Sequence, residues 1–166
     1  MSIPTIELQE YGKKIIVDHD LVKKRFVGKV EKYDKFTPQV LINIISEFSY
    51  FSLDDVTYYI KNIYHDTDSF IDWKCDNARI MNIFRDSKDL INEDKMTYTE
   101  QSPFYTLIIY ENDSGPDFEG GLLEFADNTM IIPEKGKYII FDSRDIYRTN
   151  NVRCGMSKFI LINFYK

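Results

Sequence analysis

Residues 104–125 read FYTLIIYENDSGPDFEGGLLEF. The first seven are almost wholly apolar, β-branched or aromatic, which is the composition of a strand covered on both faces. The pair Gly120-Gly121 marks a tight turn and not a phosphate loop, because no Gly-Lys-Ser/Thr or helix start follows it. Outward from this stretch the same writing recurs in ARIMNIF (78–84), TMIIP (129–133), KYIIFD (137–142) and SKFILINFYK (157–166), each bounded by Asp, Asn, Gly or Pro. Several short strands so punctuated predict a sandwich or barrel.

The first half is written differently. Short apolar runs at Thr5 to Leu8 and Lys14 to Val17, around Tyr11-Gly12, predict a hairpin. Thr37 can cap a helix whose first residue is Pro38 and whose apolar positions are Val40, Leu41, Ile44, Ile45 and Phe48. A second helix is expected after Ser52, with Asp55 three residues on and a stripe of Val56, Tyr59, Ile60, Ile63 and Tyr64. The expectation is therefore one mainly β domain over residues 1–166 with N-terminal helices (α+β). Two helices, at about 37–65, support a strand-built core at about 78–166.

Composition removes several function classes. The chain has 166 residues, 43% hydrophobic and 29% charged, with a net charge of −6. This suits a globular domain, offers no broad phosphate-binding face for nucleic acid, and contains no run near the ~20 apolar residues a membrane span needs. The opening MSIPTIELQE lacks a basic and then apolar leader, so an intracellular location is expected. Abundant Ile, Lys, Asn, Tyr and Phe with few Ala and Gly suggests an AT-rich genome such as that of a large DNA virus.

Local catalytic signals are sparse. Cys75 and Cys154 stand alone and read as ordinary reduced thiols. The only histidines, His19 in DHD and His65 in HDTD, are flanked by carboxylates, but read as a solvated loop and a helix end. No serine or cysteine lies in a nucleophile-elbow context.

Taken in order, SPFYTLIIYEND, FEGGLLEF, IIPEKGKYIIFDSRDIY and GMSKFILINFY resemble the prolyl 4-hydroxylase-like branch of the 2-oxoglutarate/iron(II) oxygenases over roughly residues 78 to 166. The resemblance implies a double-stranded β-helix, or jelly roll, supported by helices. It also implies an iron(II) held by His-x-Asp and a distal His, with 2-oxoglutarate paired to a basic residue on the last strand. Carried over, Thr106 opens the co-substrate strand, Tyr110 reaches the 2-oxoglutarate carboxylate, and Lys158 is the basic residue. Lys158 lies three positions after Gly155, where many members use two, a difference a bulge would absorb.

The same comparison puts Asn92 at the first histidine, Asp94 at the carboxylate and Tyr147 at the distal histidine. Tyr98 and Glu100 form a rival register with only five residues before Thr106. An asparagine amide and a phenol with an ordinary pKa of about 10 are both poor iron(II) ligands. The leading expectation is thus an oxygenase fold that is catalytically silent and acts by binding a protein or small ligand. An active protein prolyl hydroxylase with atypical ligands is the alternative, and an unrelated jelly-roll binding module is a third. Oligomeric state is left open.

Overall fold

A computed structural model describes residues 5–8, 13–16, 19–77 and 102–166. Strands β1 (Thr5–Leu8) and β2 (Lys13–Ile16) pair antiparallel, as the hairpin reading expects. A short helix α1 (His19–Lys23) leads into β3 (Phe26–Lys29), and α2 (Pro38–Glu47) follows. Thr37 caps α2 by accepting from the Val40 amide at 3.2 Å, and Pro38 sits where no amide proton is missed. The apolar positions Leu41, Ile44, Ile45 and Phe48 are all buried.

The second expected helix is a strand. Ser52 does cap, but only a 3-10 turn at Leu53–Asp55, after which the chain enters β4 (Thr57–His65). The sequence TYYIKNIYH is rich in aromatic and β-branched residues, which favour a pleated surface. It pairs residue for residue with the last strand, so tertiary pairing overrides the helical spacing of its apolar residues. Tyr59, Ile60 and Tyr64 are left exposed by this arrangement. His19, read as part of a loop, instead opens α1, and His65 closes a strand rather than a helix.

The remaining strands are β5 (Ile71–Lys74), β6 (Tyr105–Tyr110), β7 (Phe118–Gly120), β8 (Leu123–Phe125), β9 (Met130–Ile131), β10 (Lys137–Asp142), β11 (Tyr147–Thr149), β12 (Val152–Gly155) and β13 (Ser157–Tyr165). They form a five-stranded sheet in the order β3-β10-β6-β13-β4 and a four-stranded sheet in the order β5-β11-β8-β9, with β12 and β7 paired separately. The strand-built core therefore begins at β3, earlier than residue 78. The expected strand at 78–84 lies outside the described residues.

Alternation divides the core in two. Leu107 and Ile109 of β6, with Tyr138, Ile140, Ile160, Ile162 and Phe164, pack against α2. Ile108 and Tyr110, with Ile139, Phe141, Phe159 and Leu161, face Leu123, Phe125, Ile131 and Tyr147 of the smaller sheet. The near-continuous apolarity of β6 and β13 is thus explained by burial on both sides. Gly120 has φ +85°, and a Cβ there would lie 2.2 Å from the Asn151 carbonyl oxygen, so the Gly-Gly turn admits no larger first residue.

One ionic contact ties the two sheets at the edge. Arg25, at the entry to β3, donates to Asp145 at 2.6 Å and 2.9 Å and to Asp127 at 3.0 Å, while its guanidinium lies 3.8 Å from the Phe125 ring centroid. The Arg25 and Asp145 side chains are each only 7% exposed. Arg25→Ala is expected to cost about 3–5 kcal/mol in denaturant unfolding, because it strands a buried carboxylate. Asp127→Asn, at the more open arm, should cost much less.

Candidate functional site

Strand β5 ends at Lys74, and Cys75-Asp76 follow it. The neighbouring β11 begins with Tyr147, whose Cα lies opposite Lys74 on one side and Phe125 on the other. This pairing brings a cation, a carboxylate and a phenol together between the sheets. The Tyr147 hydroxyl donates to Asp76 Oδ1 at 2.7 Å, and the Lys74 ammonium lies 3.7 Å from the same oxygen and 5.8 Å from the Tyr147 ring centroid. On the other side, Thr106 Oγ1 donates to Asp76 Oδ2 at 3.0 Å. Thr106 has a single proton, which the carboxylate claims, so the Ser143 hydroxyl 2.8 Å away donates to Thr106 in turn.

Burial sets the protonation of this group. Tyr147 is wholly buried, and loss of water, then the Asp76 charge and hydrogen bond, hold its hydroxyl well above the usual phenol range. Burial likewise pushes Tyr110 up. The Cys75 thiol is pushed up to about 12 by burial first and the Asp76 charge second, so it is not a nucleophile at neutral pH. Cys75 Sγ also lies 3.4 Å from the Asn77 carbonyl oxygen.

Of the residues singled out from sequence, Thr106, Tyr110 and Tyr147 all belong to the space between the sheets. Thr106 and Tyr147 converge on Asp76, while Tyr110 packs in the inter-sheet cluster on the same face of β6 as Thr106. Lys158 is not brought there. The register of β13 against β4 runs unbroken from Ser157 to Tyr165, so no bulge turns Lys158 inward. Its side chain is exposed, and the inward position is taken by Ser157, which is 0% exposed. Asn92 and Asp94, and the rival pair Tyr98 and Glu100, lie outside the described residues.

Lys74, Asp76 and Ser157 were missed, yet each left a trace. Lys74 and Asp76 flank Cys75 directly after β5, a cation and a carboxylate two positions apart, and Ser157 stands next to Lys158 in β13. As a set of metal donors the cluster does not suit iron(II): an ammonium has no lone pair, a phenol held neutral is weak, and one carboxylate remains. Among the described residues, no three His, Cys, Asp or Glu side chains group as a metal site.

If Tyr147 and Tyr110 are neutral in the fold but ionise near pH 10 when unfolded, stability is full below that pH and is lost as pH rises above it. The denaturant midpoint should fall above about pH 10. Tyr147→Phe should shallow that fall while costing roughly 1–3 kcal/mol at pH 7, since Asp76 loses a donor.

No family model and no curated protein matches the sequence. Among solved structures, the viral collagen prolyl hydroxylase of Paramecium Bursaria Chlorella virus-1, in its 2OG complex, is similar with a TM-score of 0.54 at 12% identity, over 89% of this chain and 82% of that one. A Pseudomonas putida prolyl-4-hydroxylase aligns with a TM-score of 0.46 at 15% identity, over 66% of this chain and 52% of that one. A Burkholderia pseudomallei oxidoreductase of the 2OG-Fe(II) oxygenase family aligns with a TM-score of 0.48 at 14% identity, over 75% of this chain and 50% of that one. The chain thus spans about half the length of the two bacterial proteins. At 12% identity the likeness to the viral protein shows the fold alone, a double-stranded β-helix, or jelly roll.

Proposed function

On the premise of that fold, we propose that this chain does not carry out oxygenase catalysis and acts by binding a ligand or a protein partner. The observation that carries this reading is the closed cluster of Lys74, Asp76 and Tyr147. Tyr147 is the residue that the sequence resemblance puts at the distal histidine, and it bonds to the aspartate that follows Lys74. The first two ligand positions then belong to Lys74 and Asp76, in preference to Asn92 and Asp94. The Lys74 ammonium, on a side chain 37% exposed, stands 3.7 Å from the Asp76 carboxylate.

The remaining features fit without deciding the partner. No described helix is long and apolar enough to cross a membrane. A viral source agrees with the composition. A peptide that prolyl hydroxylases would modify is here a partner to be held, with 2-oxoglutarate as a candidate ligand.

The test is anaerobic titration of the metal-free protein with iron(II) or manganese(II), with and without 2-oxoglutarate, followed by an assay for succinate formation in air. No metal binding at millimolar concentration and no succinate are expected. Turnover by the unaltered chain would overturn the proposal in favour of an active hydroxylase with unusual ligands. For the register, the pair Lys74→His and Tyr147→His should gain manganese affinity, whereas Asn92→His with Tyr147→His should not. The reverse result would restore Asn92 and Asp94 as the ligand positions.

A further inference from the structure

A cavity of about 700 Å³ opens on the face of the larger sheet that α2 covers, where β6 begins and β10 ends. Tyr105 and Asp142 are Cα partners across these two strands, so both side chains project to this face and not into the space between the sheets. The aromatic part of the lining is Tyr50, Phe51, Phe104 and Tyr105. The Tyr50 and Tyr105 rings are nearly parallel, at 16° with centroids 6.0 Å apart, and Phe51 meets Phe104 edge-on at 5.2 Å. Tyr50 is 56% exposed whereas Tyr105 is buried, so the lining runs from solvent to the base of the core. Flat rings so arranged offer contact to another flat ring.

Two donors in this lining make no hydrogen bond. The Tyr105 side chain is buried, yet its hydroxyl has no hydrogen-bond partner among the described residues. Burial first and the Asp142 charge second push this phenol up to about 12, so at pH 7 it keeps its proton to donate. Lys24 Nζ lies 4.0 Å from Asp142 Oδ2, too far for a hydrogen bond. Asp142 is already held by Arg144, which gives it a backbone amide at 2.9 Å and its guanidinium at 3.0 Å and 2.9 Å. Both donors thus stand around a carboxylate that others serve, and a ligand that satisfies them brings an acceptor of its own. Arg144 and Lys166 add positive charge to the lining, where Asp55 is the one further carboxylate among the described residues.

We propose that this cavity binds a small aromatic acid, its ring against the aromatic lining and its carboxylate accepting from the Lys24 ammonium and the Tyr105 hydroxyl. The volume falls in the range of roughly 300–1,000 Å³ usual for small-molecule sites, and an aromatic lining with a few convergent polar groups is their usual composition. The ammonium–carboxylate contact fixes the orientation of the ligand, and the flat rings favour a planar ring over a saturated one. Because Tyr105 and Asp142 face α2, while Asp76 and Tyr147 lie on the other side of the sheet, binding here is independent of whether the interior is catalytic.

Calorimetric titration of the full chain with naphthalene-1-acetate, and with naphthalene-1-acetamide, which keeps the rings and loses the charge, tests this. The acid is expected to bind and the amide to bind roughly 10-fold more weakly, as loss of a charge-assisted contact does. Lys24→Met should bring the acid down to the level of the amide and leave the amide where it was. Tyr105→Phe keeps the ring and removes only the hydroxyl, so it should weaken the acid by roughly 5- to 10-fold. It should also leave the unfolding midpoint unchanged, because that hydroxyl has no partner in the fold. Absence of binding by the acid at millimolar concentration, equal affinity for acid and amide, or unchanged affinity for the acid in folded Lys24→Met and Tyr105→Phe proteins would each overturn the inference.

Discussion

The architecture depends on one constraint, that β6 and most of β13 are apolar on both faces. Every residue from Tyr105 to Tyr110 is buried. A strand of this kind cannot lie at a surface, so it needs one layer above and another below. Helix α2 supplies one cover and the smaller sheet the other, and the alternation of side chains along β6 assigns each residue to its layer. The space between the sheets exists because of that second cover. Polar residues on the inner face of the same strands, such as Thr106 and Ser157, are thereby drawn into it.

A polar group in such an interior has to find partners, and the Asp76 cluster does so internally. Its carboxylate receives Tyr147 and Thr106, with Ser143 behind Thr106 and Lys74 beside it. An aspartate in this setting is stabilised by hydroxyl donors and a nearby ammonium. Elsewhere in the fold Ser157 Oγ and His65 Nδ1, on Cα partners across β13 and β4, have no hydrogen-bond partner.

Much of this was legible in the chain because it depends on local chemistry. Thr37-Pro38 favours a helix start through a local cap and a fixed φ, and the short, β-branched apolar runs of β6, β10 and β13 favour covered strands. The segment 57–65 was misread because Tyr, Ile and Val occur at helical spacing by coincidence. Its nine-residue pairing with β13 decides its conformation, and no local pattern reports a partner about a hundred residues away. Lys158 was misplaced for a related reason. Whether a strand residue faces inward depends on register, and a shift of one position exchanges Lys158 for Ser157.

By itself the sequence determined the presence of the strands, the capped helix α2, the Gly-Gly turn and the likeness to an oxygenase scaffold, because each follows from side chains close together in the chain. The resemblance singled out Tyr147, which is buried between the sheets. Only the tertiary structure decided that Lys74 and Asp76 meet Tyr147, that Ser157 and His65 share a face, and that Lys158 lies outside. Those facts depend on which strands pair and in what register, and that is set by closing two sheets around a common core rather than by any stretch of residues alone.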